Sequence, residues 1–157
     1  IDKLNNWMKK IITALLTFLF IANCGYTPIY SSKNFNFKIK NITKLTNDPL
    51  NSNVEKRLKN FSDQSGENEI SLRVDTQKKI NTLLKDSKGD PSRYEMIISI
   101  KIEITYGLDQ IVSESFEERF NYNANKNKFE LRQYEKEIKD LLINKNIDNI
   151  IVYLSKL

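Results

Sequence analysis

The sequence predicts an α/β fold of the α+β kind: a two-layer sandwich in which two helices cover one face of a four-stranded mixed sheet, in the order β-α-β-β-β-α. Three observations predict it. Four stretches alternate apolar and polar residues with a period of two, as half-buried strands do. Two stretches repeat apolar residues every three or four positions, as amphipathic helices do. Strand alternation of this kind means one sheet face is covered and the other polar.

The first strand is predicted over Asn34 to Ile42, with Phe35, Phe37 and Ile39 on one face and Asn36, Lys38 and Lys40 on the other. Thr46-Asn-Asp-Pro49 then starts a helix. Asp48 is its cap, and Pro49 suits the first turn, where a missing N–H has no cost. Val54, Leu58 and Phe61 form its stripe, and Lys56, Arg57 and Lys59 complement its dipole. Ser62 to Asn68 contains Gly66 and reads as the stop and turn. Ile70, Leu72 and Val74 point inward on the second strand, which blurs over Thr76 to Lys79 and resumes to Leu84, with a bulge expected near Gln77.

Lys85 to Ser92 is a turn built from Gly, Asp and Pro. The third strand, Arg93 to Tyr106, aligns Tyr94, Met96, Ile98, Ile100, Ile102, Ile104 and Tyr106 on one face, interrupted only by Ile97 on the other. After the turn at Gly107-Leu-Asp109, the fourth strand runs from Gln110 to Asn123. Glu114 and Glu118 share a face with Val112, Phe116, Phe120 and Tyr122, which leaves its register open. Phe129 to Leu157 carries the longest helical pattern. Leu131, Tyr134, Ile138, Leu141 and Leu142 make one stripe, and Ile143, Ile147, Ile150, Ile151 and Leu154 continue it. Asn144 to Asn149 is poor in helix formers and is the place for a kink.

Ahead of these elements stands MKKIITALLTFLFIANC, from Met8 to Cys24. Two lysines, an apolar run of 11 residues from Ile11 to Ile21 and a short polar region make a signal peptide over residues 1–23, with Met8 as the natural start. A bilayer-spanning helix needs about 20 apolar residues, so the run is too short for one. Cys24 is the only cysteine and sits three residues after the run. Bacterial lipoprotein signals place there the thiol that receives diacylglycerol, and the cysteine then becomes the first mature residue. The expected mature chain, 24–157, is one periplasmic domain large enough for a core without disulfides.

The net charge of +5 falls to about +3 without Asp2, Lys3, Lys9 and Lys10, too mild for a nucleic-acid binder. There is no histidine, and with Cys24 acylated no nucleophile–histidine pair is possible, so no catalytic residue, metal or cofactor is expected. Glu114, Glu117 and Glu118 read as a charged strand face, solvated or paired with Lys101, rather than as an acid–base pair or a cation site. Lys85, Lys88 and Arg93 flank the tip of the second hairpin and are the candidate ligand-binding residues, for anionic phosphates on a lipid head group or sugar. The competing reading is a solvated tip in a lysine-rich protein.

Two motifs carry a family resemblance. Cys24-Gly-Tyr-Thr-Pro-Ile-Tyr30 resembles the C-G-F-x-P-L-Y start of mature LptE-type lipoproteins of alphaproteobacteria. Phe120, Tyr122, Phe129, Tyr134, Glu135, Ile150, Tyr153 and Leu154 match the end of that family, where an aromatic strand passes through a polar loop into a long helix. The middle of the chain agrees in pattern rather than in residues. The resemblance implies a non-enzymatic outer-membrane lipoprotein, held by its N-terminal lipid. It further implies a place inside the lumen of an LptD-type β-barrel, as plug and assembly partner in lipopolysaccharide transport to the cell surface. Lipopolysaccharide is then the ligand expected at Lys85, Lys88 and Arg93. The alternative, from a different class, is a periplasmic lipid carrier or transporter-auxiliary lipoprotein, which needs an apolar cavity between helices and sheet.

Overall fold

A computed structural model of the chain describes residues 37–62, 66, 68–107 and 110–157. The elements are β1 (Phe37–Lys44), α1 (Pro49–Lys59), β2 (Asn68–Lys85), β3 (Pro91–Tyr106), β4 (Gln110–Asn123) and α2 (Lys128–Leu154). The sheet order is β1-β2-β3-β4. β1 and β2 are parallel, and the other two pairs are antiparallel. This is the predicted β-α-β-β-β-α order on a mixed sheet. α1 packs on β1 and β2, and α2 on β3 and β4. The signal segment, Cys24 and Phe35 lie outside the described residues.

The core follows from alternation on β3. Met96, Ile98, Ile100, Ile102 and Ile104 have no solvent exposure, and Leu72 and Val74 of β2 join them. Each such side chain contributes about 1.5–3 kcal/mol by leaving water. From α1 come Val54 and Leu58; from α2 come Leu142, Ile143, Ile150 and Ile151. A register shift between Ile39 and Asn41 leaves Lys40 and Asn41 both exposed and returns Ile42 to the buried face with Phe37 and Ile39. α1 begins as expected: the Asp48 carboxylate accepts from the Leu50 N–H at 2.6 Å, with Pro49 behind the cap.

Four expectations need correction. β2 has no irregularity near Gln77; pairing with β3 is continuous through Thr82 and shifts around Leu84 instead. The pattern blurs after Thr76 because residues 77–85 are almost all exposed, so no buried face selects their side chains. Phe61 lies in the turn after α1 and is only half-buried. On α2, Tyr134 and Leu141 sit on the exposed rim, while Asn146 is buried in the stripe. Finally, α2 runs unbroken through Asn144 to Asn149. There Asn146 donates from Nδ2 to the carbonyls of Ile98 (3.0 Å) and Leu142 (3.1 Å), and tertiary packing overrides weak propensity.

The other buried asparagine holds the end of β1. β1 leaves the sheet at Leu45, whose N–H donates to the Val74 carbonyl at 2.9 Å. The next β2 N–H on that side, at Thr76, is buried and would lack a partner. Asn51 of α1 supplies one: its Oδ1 accepts from the Thr76 N–H at 2.6 Å. Its Nδ2 donates to Thr46 Oγ1 at 2.8 Å and to the Thr46 carbonyl at 3.2 Å, tying the β1–α1 connection to the same point. Asn51→Ala leaves the Thr76 amide buried and unpaired, and should cost about 1–3 kcal/mol in urea unfolding. A loss within experimental error would show that Asn51 is not what terminates the β1–β2 ladder.

Candidate hairpin-tip site

The β2–β3 tip is built by one carboxylate. Asp86 Oδ1 accepts from the backbone N–H groups of Lys88 and Asp90, both at 2.9 Å. The Asp86 N–H donates to the Asp90 carbonyl at 2.7 Å, and Gly89 takes a positive φ of 86° that suits glycine. Asp86 therefore directs its hydrogen bonds to the turn and makes no ion pair among the described residues, while its charge and that of Asp90 still dilute the basic patch. Lys85 lies opposite Pro91, and Arg93 opposite Leu84, so two of the three candidate residues flank the tip and Lys88 sits within it. No ion pair engages Lys85, Lys88 or Arg93 among the described residues.

The structure adds neighbours that the sequence reading missed. Arg93 is also opposite Asn123 of β4 and donates from Nε to its side-chain oxygen at 3.4 Å. The Ala124 N–H donates to the Ser92 carbonyl at 3.0 Å and folds the β4–α2 loop against the base of the tip. Arg93 thereby joins Asn121, Asn125, Lys126, Glu130 and Tyr134 around an open cavity of about 760 Å³. Within it, Glu130 is held by Asn125 Nδ2 and Asn127 Nδ2, both at 2.9 Å. Arg93 and Lys126 remain as the cations of the wall. Counting the register of the β3–β4 hairpin would have brought Arg93 and Asn123 together; Lys126, in a polar loop without periodicity, gave no such signal.

The back of the cavity is aromatic. Tyr122 is buried and donates from its hydroxyl to Glu135 Oε1 at 2.8 Å. Its ring centroid lies 5.5 Å from that of Tyr94 and 6.2 Å, edge-on, from that of Tyr134. Burial, and then the hydrogen bond to the Glu135 carboxylate, pushes the Tyr122 hydroxyl well above the usual tyrosine range.

The carboxylates of β4 are divided between two faces. Glu114 and Glu118 lie on the helix side, which fixes the register left open by the sequence. Glu118 accepts from Asn149 Nδ2 at 3.0 Å and Glu114 from the Tyr153 hydroxyl at 3.3 Å. Glu117 is on the open face, taking bonds from Arg119 at 2.6 Å and Ser99 at 3.0 Å, which hold its carboxyl below the usual range. Lys101 meets Glu103 at 3.6 Å rather than any of the three. Among the described residues no group of acidic or cysteine side chains is arranged to hold a metal ion. The open face is a polar ladder, with Arg73–Glu103 at 3.3 Å and Asn81–Glu95 at 3.2 Å.

A second cavity, of about 700 Å³, lies at the other end of the sheet between Ile70, Tyr106 and Leu154. Between these ends the helix–sheet layer is filled by side chains with no exposure. No described helix is long and apolar enough to cross a membrane.

No family model matches the chain, and no curated protein matches it. Solved structures match its fold. Rare lipoprotein B from Shewanella oneidensis is 17% identical with a TM-score of 0.58, over 76% of this chain and 94% of that one. A minor lipoprotein from Acinetobacter baumannii is 12% identical with a TM-score of 0.56, over 78% and 92%. Uncharacterized lipoprotein B from Nitrosomonas europaea is 11% identical with a TM-score of 0.55, over 75% and 81%.

The Tyr122 contact has a pH signature. Its folded pKa is raised above the unfolded value of about 10, so its contribution is complete below pH 10 and lost as pH rises above it. Urea midpoints measured from pH 8 to pH 11.5 should fall more steeply for the natural protein than for Tyr122→Phe. Parallel curves would mean that Tyr122 ionises as freely when folded as when unfolded.

Proposed function

We propose that the chain is a non-enzymatic outer-membrane lipoprotein of the LptE type, anchored through Cys24. In this reading it serves as plug and assembly partner of an LptD-type β-barrel in lipopolysaccharide transport. The observation that carries the reading is a coincidence of two kinds of likeness. A lipoprotein-type leader over residues 1–23, followed by Cys24-Gly-Tyr-Thr-Pro-Ile-Tyr30, precedes a domain that shares its fold with three solved structures described as lipoproteins.

The physical chemistry of the domain supports the same reading. Two acyl chains on an N-terminal cysteine give stable anchoring where one does not. A sheet whose open face is charged and hydrogen-bonded tolerates a water-filled barrel interior, which is polar. The middle of the helix–sheet layer is packed with unexposed side chains, which weighs against an acyl-chain cavity running through it, and the open space lies only at the two ends of the sheet. Lys85, Lys88 and Arg93 bring three cations without ion-pair partners among the described residues to one corner, diluted by Asp86 and Asp90 but still net positive, suited to the phosphates of lipopolysaccharide.

Replacing Lys85, Lys88 and Arg93 together with Ser tests the ligand assignment. Charge-assisted hydrogen bonds are worth about 1.5–3 kcal/mol each, so losing even one should weaken lipopolysaccharide binding at least about tenfold. The melting temperature should hold, because these exposed side chains make no ion pair among the described residues. Unchanged binding at unchanged stability would return the tip to a solvated turn.

A further inference from the structure

The sheet is covered only over part of its length. β1 pairs with β2 as far as Val74, while β2 continues to Lys85. From Gln77 to Lys85, nine residues, β2 is bonded to β3 on one side and, among the described residues, has no strand on the other. The direction of its free groups is fixed by neighbours. The Val74 carbonyl meets Leu45 of the β1 connection, and the Thr76 N–H meets Asn51, both on the β1 side. Strand alternation carries that direction to Lys78, Ile80 and Thr82. Their N–H and C=O groups point away from β3, and no hydrogen bond beyond the β3 ladder engages them among the described residues.

The side chains along this edge are exposed too. Ile80 is 39% exposed, Leu83 41% and Leu84 54%. Lys78, Lys79 and Lys85 stand among them without ion-pair partners among the described residues. Lysines on an edge strand commonly keep it from pairing with its own copy. Here they also set the sign of what is admitted, since a second copy brings the same charges and an acidic strand brings complementary ones. β4, the opposite edge, is blunted differently: its helix-side carboxylates Glu114 and Glu118 are bonded to α2. The two edges are therefore not equivalent.

We propose that the β2 edge from Gln77 to Thr82 is a strand-addition site for an extended acidic segment of a protein partner. The segment hydrogen-bonds to Lys78, Ile80 and Thr82 through its backbone. It places a β-branched residue beside Ile80 and carboxylates beside Lys78 and Lys79. Backbone pairing supplies affinity, and the lysines supply selection.

The test uses the full chain in detergent and the peptide Thr-Val-Thr-Val-Glu-Glu-Thr. Amide hydrogen exchange is followed by NMR. The peptide should slow exchange at Lys78, Ile80 and Thr82 by about tenfold or more, as a newly closed hydrogen bond does. Gln77, Lys79 and Asn81, already bonded to β3, should not change. A peptide with alternate amides N-methylated cannot pair and should have no effect, and one with Lys in place of Glu should bind more weakly. Ile80→Pro removes an outward N–H at an edge position and should abolish the protection. If that variant loses stability, the N-methylated peptide carries the same test on the natural protein. Equal protection by the N-methylated or the lysine peptide would overturn the proposal, as would no protection at millimolar peptide. So would protection already present without peptide in a sedimenting dimer, which would make a second copy the occupant.

Discussion

The structure depends on burying one face of β3 under two helices. Met96, Ile98, Ile100, Ile102 and Ile104 are spaced two apart and are all fully excluded from water. Only a strand with neighbours on both sides and helices above can satisfy that pattern. β2 and β4 supply the neighbours by hairpin connection, and α1 and α2 supply the cover. The other face then has to be polar, and cross-strand pairs such as Arg73–Glu103 make it so. Buried asparagines join the layers where side chain meets backbone: Asn146 to the Ile98 carbonyl in the centre, Asn51 to the Thr76 amide where β1 ends.

The end of β1 divides the molecule into two unlike halves. On one side three or four strands lie under both helices. On the other, β2 runs on beyond α1 beside β3, and its lysines, an outer edge unpaired among the described residues and the Asp86 turn lie outside the buried layer. The β2 half of this stretch adds little to folding, because its apolar residues Ile80, Leu83 and Leu84 remain exposed, while Met96 and Ile98 opposite it on β3 stay fully buried. It carries cations without ion-pair partners at the tip and backbone groups without a second strand along the edge, among the described residues, and at its base a cavity walled by Arg93, Lys126 and Tyr134.

Periodicity made most of the fold legible. The long alternation of β3 and the capping signals Asp48-Pro49 place their elements within a residue or two of where they lie. What escaped was whatever periodicity does not encode. Asn51 and Asn146 look like surface residues in a helical pattern, and only the position of an unpaired amide or carbonyl on another element makes them core. The bulge expected at Gln77 came from reading loss of alternation as loss of pairing, whereas residues 77–82 stay paired and lose only their cover. Glu114 and Glu118 seemed to conflict with an inward face, because the partners that resolve them, Tyr153 and Asn149, lie more than thirty residues away. The candidate cations were visible individually. That Arg93 shares a wall with Lys126 requires the β3–β4 register and the fold of the loop after β4 to be known.

The most direct test of the functional account is co-purification of the natural chain, tagged at its C terminus and extracted from membranes in mild detergent. The account predicts a large β-barrel recovered in near one-to-one amount by mass spectrometry. Recovery of a permease or bound phospholipid with no barrel would contradict it and support the carrier or transporter-auxiliary alternative instead.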